Sequence, residues 1–115
     1  MDALTASIQR ALAAPAAHAE GFDPQAHLRT VLQGVGFAPE DSGGRIEFLG
    51  QDPILPSVFR IASAAGIGLA AKSVAMAALW RERGGAGQNI EVDLRRAPHR
   101  LCPFYDRKWE KLNGH

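Results

Sequence analysis

Residues 57–94 read SVFRIASAAGIGLAAKSVAMAALWRERGGAGQNIEVDL, and the order of small, basic and alternating side chains in this stretch decides the fold. Ser57 is a helix-capping residue type, and no proline interrupts the run from there to Arg83. Arg81 and Arg83 suit the negative end of a helix macrodipole, and Gly84 suits the left-handed position that closes a helix. The spacing therefore predicts a helix over Ser57–Arg83. Ala62, Ala64, Ala65, Gly66, Gly68, Ala70, Ala71, Ala75, Ala77 and Ala78 leave almost no bulky face, so neighbouring backbones are expected close to it on several sides. Gly66 and Gly68 each cost about 1 kcal/mol of helix propensity relative to alanine, a penalty that points to tight packing against them. After Gly84, GAGQ reads as a glycine turn. Ile90, Val92 and Leu94 then alternate with Asn89, Glu91 and Asp93, the pattern of a half-buried strand entered by a tight turn.

Upstream, Arg45–Leu49 alternates Ile46 and Phe48 with Arg45 and Glu47 as a short strand, closed by Gly50, Asp52 and Pro53. Asp23 is a natural N-cap with Pro24 at the first helical position, and His27, Leu28, Val31 and Leu32 share one face of a helix ending at Gly34 or Gly36. Leu4, Ile8, Ala11 and Leu12 give Asp2–Ala14 an amphipathic helical period, and residues 15–22 read as a connection. Downstream, Arg95–Cys102 begins another helix disturbed by Pro98, and Pro103 separates it from a short helical piece over Tyr105–Leu112. The expected class is α/β and helix-dominated, built on a central Ala/Gly-rich helix.

Composition bounds this reading. The chain has 115 residues, 46% hydrophobic and 22% charged, which suits one globular domain and excludes a disordered tail. A single cysteine, Cys102, allows neither an internal disulfide nor a CxxC zinc pair, so a cytoplasmic location is expected. The N-terminus lacks the basic-then-apolar order of a signal peptide. Residues 61–80 are long enough to span a bilayer, but their small side chains and the central Lys72 favour a buried helix, and no membrane partner is expected. Only 7% of residues are aromatic, whereas 20 are alanine. Such a core depends on close backbone approach and is readily completed by another subunit or a further segment. Residues 1–60 carry a charge balance of −3 and residues 61–115 one of +4. Arg95, Arg96, His99, Arg100, Arg107, Lys108 and Lys111 dominate the basic half, which attracts anionic groups. They lack the interleaved aromatics of a nucleic-acid module, so no nucleic-acid partner is expected.

Two motifs need weighing. Gly66, Gly68 and Ala71 match the dinucleotide fingerprint GxGxxA, but that fingerprint works where a strand turns into a helix N-terminus, and here it lies within a helix. The run MAALWRERGGAGQNIEVDL over 76–94 resembles the family III CoA-transferases, the CaiB/BaiF group. In that family an alanine-rich helix ends in basic residues and leads through Gly-x-Gly-Gln to a strand. The residues that carry the likeness are Arg81, Arg83, Gly85, Gly87, Gln88, Ile90, Val92 and Leu94; it extends over about 50–101 and leaves the helical region 1–44 unmatched.

The resemblance implies a single domain over 1–115 that is an incomplete portion of a larger CoA-transferase-like fold. It implies a transferase acting on acyl-CoA thioesters, with coenzyme A as substrate or ligand and no tightly bound cofactor. It also implies a homodimer, or a partner chain that supplies the remaining region. Related enzymes racemise 2-methylacyl-CoA, so a racemase-like activity is a second implication. Both chemistries need a positioned carboxylate or base. The family aspartate lies about 25 residues before the motif glutamine, which falls near Ser63 here, and no Asp or Glu occurs between Pro53 and Arg81. A serine with no adjacent base does not replace a carboxylate, so the catalytic residue is unassigned and an inactive short chain is an expectation. Arg95 and Arg96 are the candidate substrate-binding residues, set to meet phosphate groups. The alternative from a different class is a non-catalytic oligomerisation or interaction module built on the alanine-rich helix.

Other candidates are weaker. His99 and Cys102 are three apart but flanked by prolines, without a third orienting group. His18, His27 and His115 have no metal-ligand spacing, and no metal is expected. Glu91 and Asp93 share a strand face as solvent-exposed carboxylates. Trp80, Trp109, Phe104 and Tyr105 offer stacking surfaces more simply used in packing.

Overall fold

The computed structural model describes residues 2–13, 21–55 and 57–100, and the expectations that fall on His18, Cys102, Phe104, Tyr105–Leu112 and His115 lie outside the described residues. Among the described residues, three helices and two strands follow in the order α1 (Ala3–Ala13), α2 (Pro24–Gln33), β1 (Ile46–Leu49), α3 (Ile61–Glu82) and β2 (Ile90–Asp93). Single 3-10 turns at Pro39–Ser42 and Ala97–Arg100 complete them. The result is a small, helix-dominated α/β arrangement.

Local chemistry explains most boundaries. Asp2 caps α1 by accepting the Thr5 amide at 2.7 Å. Asp23 caps α2 by accepting the Gln25 amide at 3.0 Å, with Pro24 at the first helical position. Gly36, at φ +81°, then lets the Phe37 amide reach the Leu32 carbonyl at 2.9 Å. Gly84, at φ +93°, closes α3 in the same way, with the Gly85 amide on the Trp80 carbonyl.

α3 starts at Ile61, four residues later than the sequence suggests. Ser57 spends its hydroxyl on the Phe59 amide at 3.0 Å, a local turn that competes with helix initiation. Residue Arg60, at the helix boundary, makes no side-chain cap. The Ser63 amide, in the first turn, is satisfied from farther away by Asp52.

The strands pair in parallel, Ile46 opposite Ile90 and Leu49 opposite Asp93, with α3 as the crossover. The tight turn expected directly before β2 is corrected: the chain turns at 83–84 as α3 closes and then runs irregularly over 85–89 into β2, because a parallel strand is entered from a crossover and not from a hairpin. The helix expected to begin at Arg95 is the 3-10 turn Ala97–Arg100, since the Asp93 side chain draws the Arg95 amide into a local turn.

The core lies where α3 meets β2 and α2. Ala62, Ala65, Ile67, Ala70 and Val74 pack with Ile90, Val92 and Leu94 on one side and Leu28 and Leu32 on the other. Gly66 explains the distance of approach: a Cβ there would overlap the end of Leu94 and lie 3.3 Å from Val92 Cγ1. Gly68 has no such neighbour and is exposed, so close packing holds for one glycine and not for the other. The apposition expected on several sides is corrected likewise, for Ala64, Gly68, Lys72, Met76 and Trp80 form an exposed stripe. By length and composition α3 is apolar enough to cross a membrane, and less than half of its most apolar window is buried within the fold.

Candidate functional site

The carboxyl ends of parallel strands are where open α/β sheets place ligands, because the following loops and the helix N-terminus converge there. In this chain Leu49 and Asp93 stand side by side at that edge. The chain leaves β1 through Gly50, at φ +85°, a conformation that favours glycine, and leaves β2 through Leu94, whose amide donates to the Leu49 carbonyl at 2.9 Å. Between the two exits opens a hollow of about 770 Å³ lined by Gly50, Gln51, Pro53, Ile54 and Arg95. Arg95 is the charged member of that lining.

Asp93 sets the position of Arg95. Its Oδ1 accepts the Arg95 amide at 2.9 Å, and its carbonyl accepts the Arg96 amide at 3.0 Å. Both arginines are exposed, but Arg96 does not line the hollow. The two candidate anion-binding residues are thus separated by the turn that carries them. Arg100 lines a different hollow, beside α3 and the start of β2.

Asp52 is a site residue that the sequence reading passed over. It is 3% exposed, and its Oδ2 accepts the Ser63 amide at 2.8 Å while Oδ1 is 3.4 Å from the Ile54 amide. A carboxylate therefore meets the first turn of α3 at Ser63, supplied by the loop and not by the helix. It offsets the partial positive charge of the helix N-terminus, which has no acidic residue of its own in the first turn. The signal was available: Asp52 is the last carboxylate before a run that contains none until Glu82. Both oxygens face backbone amides and the group is buried, an arrangement that orders the hollow's wall and shields the carboxylate. Ser63 is itself 2% exposed.

The GxGQ residues gather at the other end of the sheet. The Gln88 amide donates to the Ser42 carbonyl at 2.9 Å, and Arg81 Nη1 donates to the Asp41 carbonyl at 3.1 Å. A Cβ at Gly87 would overlap the Gly43 carbonyl, and one at Gly85 would enter the Trp80 indole. Arg81, Gly87 and Gln88 thus knit the end of α3 and the approach to β2 onto the Asp41–Gly44 segment, while Gly85 packs under Trp80. A four-residue strand separates them from Arg95, so motif and hollow are not brought together.

The remaining candidates find structural surroundings. His27 stacks on Phe22 at 4.6 Å between ring centroids, with the Arg60 guanidinium 4.7 Å from the Phe22 ring. Glu91 and Asp93 lie on the sheet face away from α3. Among the described residues no three His, Cys, Asp or Glu side chains are grouped to hold a metal ion. Charge is organised elsewhere by the bidentate Arg29–Glu40 pair, with Nη2–Oε1 at 2.5 Å. The hydrogen bond from the Arg29 guanidinium first, and a backbone hydrogen bond at Glu40 second, hold the Glu40 carboxyl below its ordinary value.

Chemically, the hollow offers one cation, apolar walls and backbone at a strand–helix edge, which is binding geometry for an anionic group. Scanned against known protein families the chain matches none, and neither curated proteins nor solved structures give a similar chain.

Proposed function

We propose that the chain is a family III CoA-transferase-like protein that binds an acyl-CoA through a phosphate group at the Arg95 hollow. The observation that carries the reading is the place of Arg95, the charged residue of a hollow at the carboxyl edge of a parallel βαβ unit. The GxGQ resemblance supplies the ligand class. The hollow supplies a location where an anion and an apolar portion fit together. Binding is the activity proposed for this chain, because Asp52 is enclosed by backbone amides and Ser63 has no exposed hydroxyl. None of the described residues that line the hollow is a carboxylate, so transfer or racemisation would draw on one from outside that lining.

Calorimetry with coenzyme A and acetyl-CoA tests this on the intact chain. Arg95→Ala is expected to weaken binding at least about 10-fold, in line with loss of a charge-assisted contact of about 1.5–3 kcal/mol. Arg96→Ala is expected to change it less than threefold. No measurable affinity in the unmodified chain, or equal affinity in Arg95→Ala, contradicts the reading.

A second reading, a non-catalytic self-associating module, is favoured by the exposed stripe of α3, where Met76 is 61% and Trp80 55% exposed. Sedimentation over a range of concentrations tests this second reading. A chain that stays monomeric removes the self-associating module, and a dimer that Met76→Lys dissolves supports it.

A further inference from the structure

Parallel pairing gives β2 two unlike edges, because in a parallel ladder the N–H and C=O of a residue point to the same side. The Ile90 and Leu94 amides donate to the Arg45 and Leu49 carbonyls at 2.7 and 2.9 Å, so Ile90, Val92 and Leu94 turn their backbone groups toward β1. Asn89, Glu91 and Asp93 therefore turn theirs outward. The Asp93 carbonyl takes the Arg96 amide, but among the described residues the Glu91 amide and carbonyl and the Asp93 amide have no hydrogen-bond partner. The outer edge of β1 differs, since its Ile46 carbonyl accepts Gln25 Nε2 at 2.7 Å.

Near the start of β2, no described element covers this face of α3. Leu69, Lys72, Met76 and Trp80 line a hollow of about 720 Å³ together with Ile90 and Arg100. A strand added to β2 would send every second side chain to the α3 side of the sheet, as Ile90 and Val92 already do. The opposite face specifies the alternate positions. The register sets Glu47 directly across from Glu91, a destabilising like-charge pair. Arg45 lies 3.4 Å from Glu47, whereas Glu91 has no ion pair among the described residues.

We propose that the outer edge of β2 is a docking site for an extended peptide segment of a partner protein, alternating apolar residues toward α3 with basic residues beside Glu91. Backbone pairing supplies the affinity, and the α3 hollow and Glu91 supply the selectivity. This stands independently of the acyl-CoA reading, whose ligand lies at the carboxyl ends of the strands.

The test is fluorescence anisotropy of labelled octapeptides titrated with the full chain, one peptide alternating valine with lysine and the other valine with glutamate. The lysine peptide is expected to bind at least about 10-fold more tightly, and Glu91→Gln to reduce that preference to within about twofold. Glu91→Pro removes an amide that faces outward, a replacement tolerated at a sheet edge, and is expected to weaken the lysine peptide at least about 10-fold. Met76→Glu, at an exposed position on α3, is expected to weaken both peptides and serves as the second variant should the proline variant not fold. Failure of both peptides to bind, equal binding of the two, or indifference to both Glu91→Pro and Met76→Glu overturns the proposal. A concentration-dependent dimer that Glu91→Pro dissolves assigns the edge to a second copy and also overturns it.

Discussion

Single residues carry the closest tolerances of the fold, and glycine shows why. Gly66 and Gly68 sit two apart on one helix, yet only Gly66 faces a neighbour within contact distance. Gly66→Val is expected to destabilise the chain by about 1–3 kcal/mol through overlap with Leu94 and Val92. Gly68→Ala is expected to stabilise it by about 1 kcal/mol through helix propensity alone. Urea unfolding of the pair measures both, and equal signs would refute the packing account. Periodicity marked the helix as unusually thin but did not say which side is covered, because alanine and glycine carry too little hydrophobic contrast to orient a helix. Asp52 stood out in the sequence only as an isolated carboxylate and not as a cap, because its partner, Ser63, is eleven residues away, beyond the range of local capping rules. Asp52→Ala is expected to destabilise the chain by about 1–2 kcal/mol through loss of a buried charge-assisted cap, with a lower thermal midpoint as the readout.

Among elements, strand alternation and capping chemistry located β1, β2 and α2 nearly to the residue, since Asp23, Pro24 and the 2-residue period act within a few positions. Pairing was not legible. Ile46 and Ile90 are partners although 44 positions apart, and nothing in either strand distinguishes a parallel from an antiparallel neighbour. The connection decides it, because a 22-residue helix between two strands delivers the second in the same direction as the first. The same geometry places Arg95 and the GxGQ residues at opposite ends, although they lie within fourteen positions of sequence. Gly87→Ala is therefore expected to act on stability and not on anion binding. Its Cβ would meet the Gly43 backbone, which has no side-chain freedom to yield, and circular dichroism melts alongside calorimetry separate the two effects.

At the scale of the whole molecule, charge separates an acidic first half from a basic second half, and the described ion pairs are exposed. Such pairs contribute little and fade with salt. Glu40 has its pKa lowered by Arg29, so whatever the pair contributes is present above the ordinary carboxylate value and is lost as pH falls through the lowered one. Glu40→Gln is accordingly expected to leave neutral-pH stability almost unchanged, which denaturant titrations at neutral and acidic pH will check. The central claim concerns where an anion is held on this surface. Amide chemical-shift mapping of the 15N-labelled chain during titration with coenzyme A tests it most directly. The account predicts shifts concentrated at Gly50, Gln51, Ile54 and Arg95 that vanish in Arg95→Ala. Shifts at Arg81, Gly87 and Gln88 instead, or none at millimolar ligand, would contradict it.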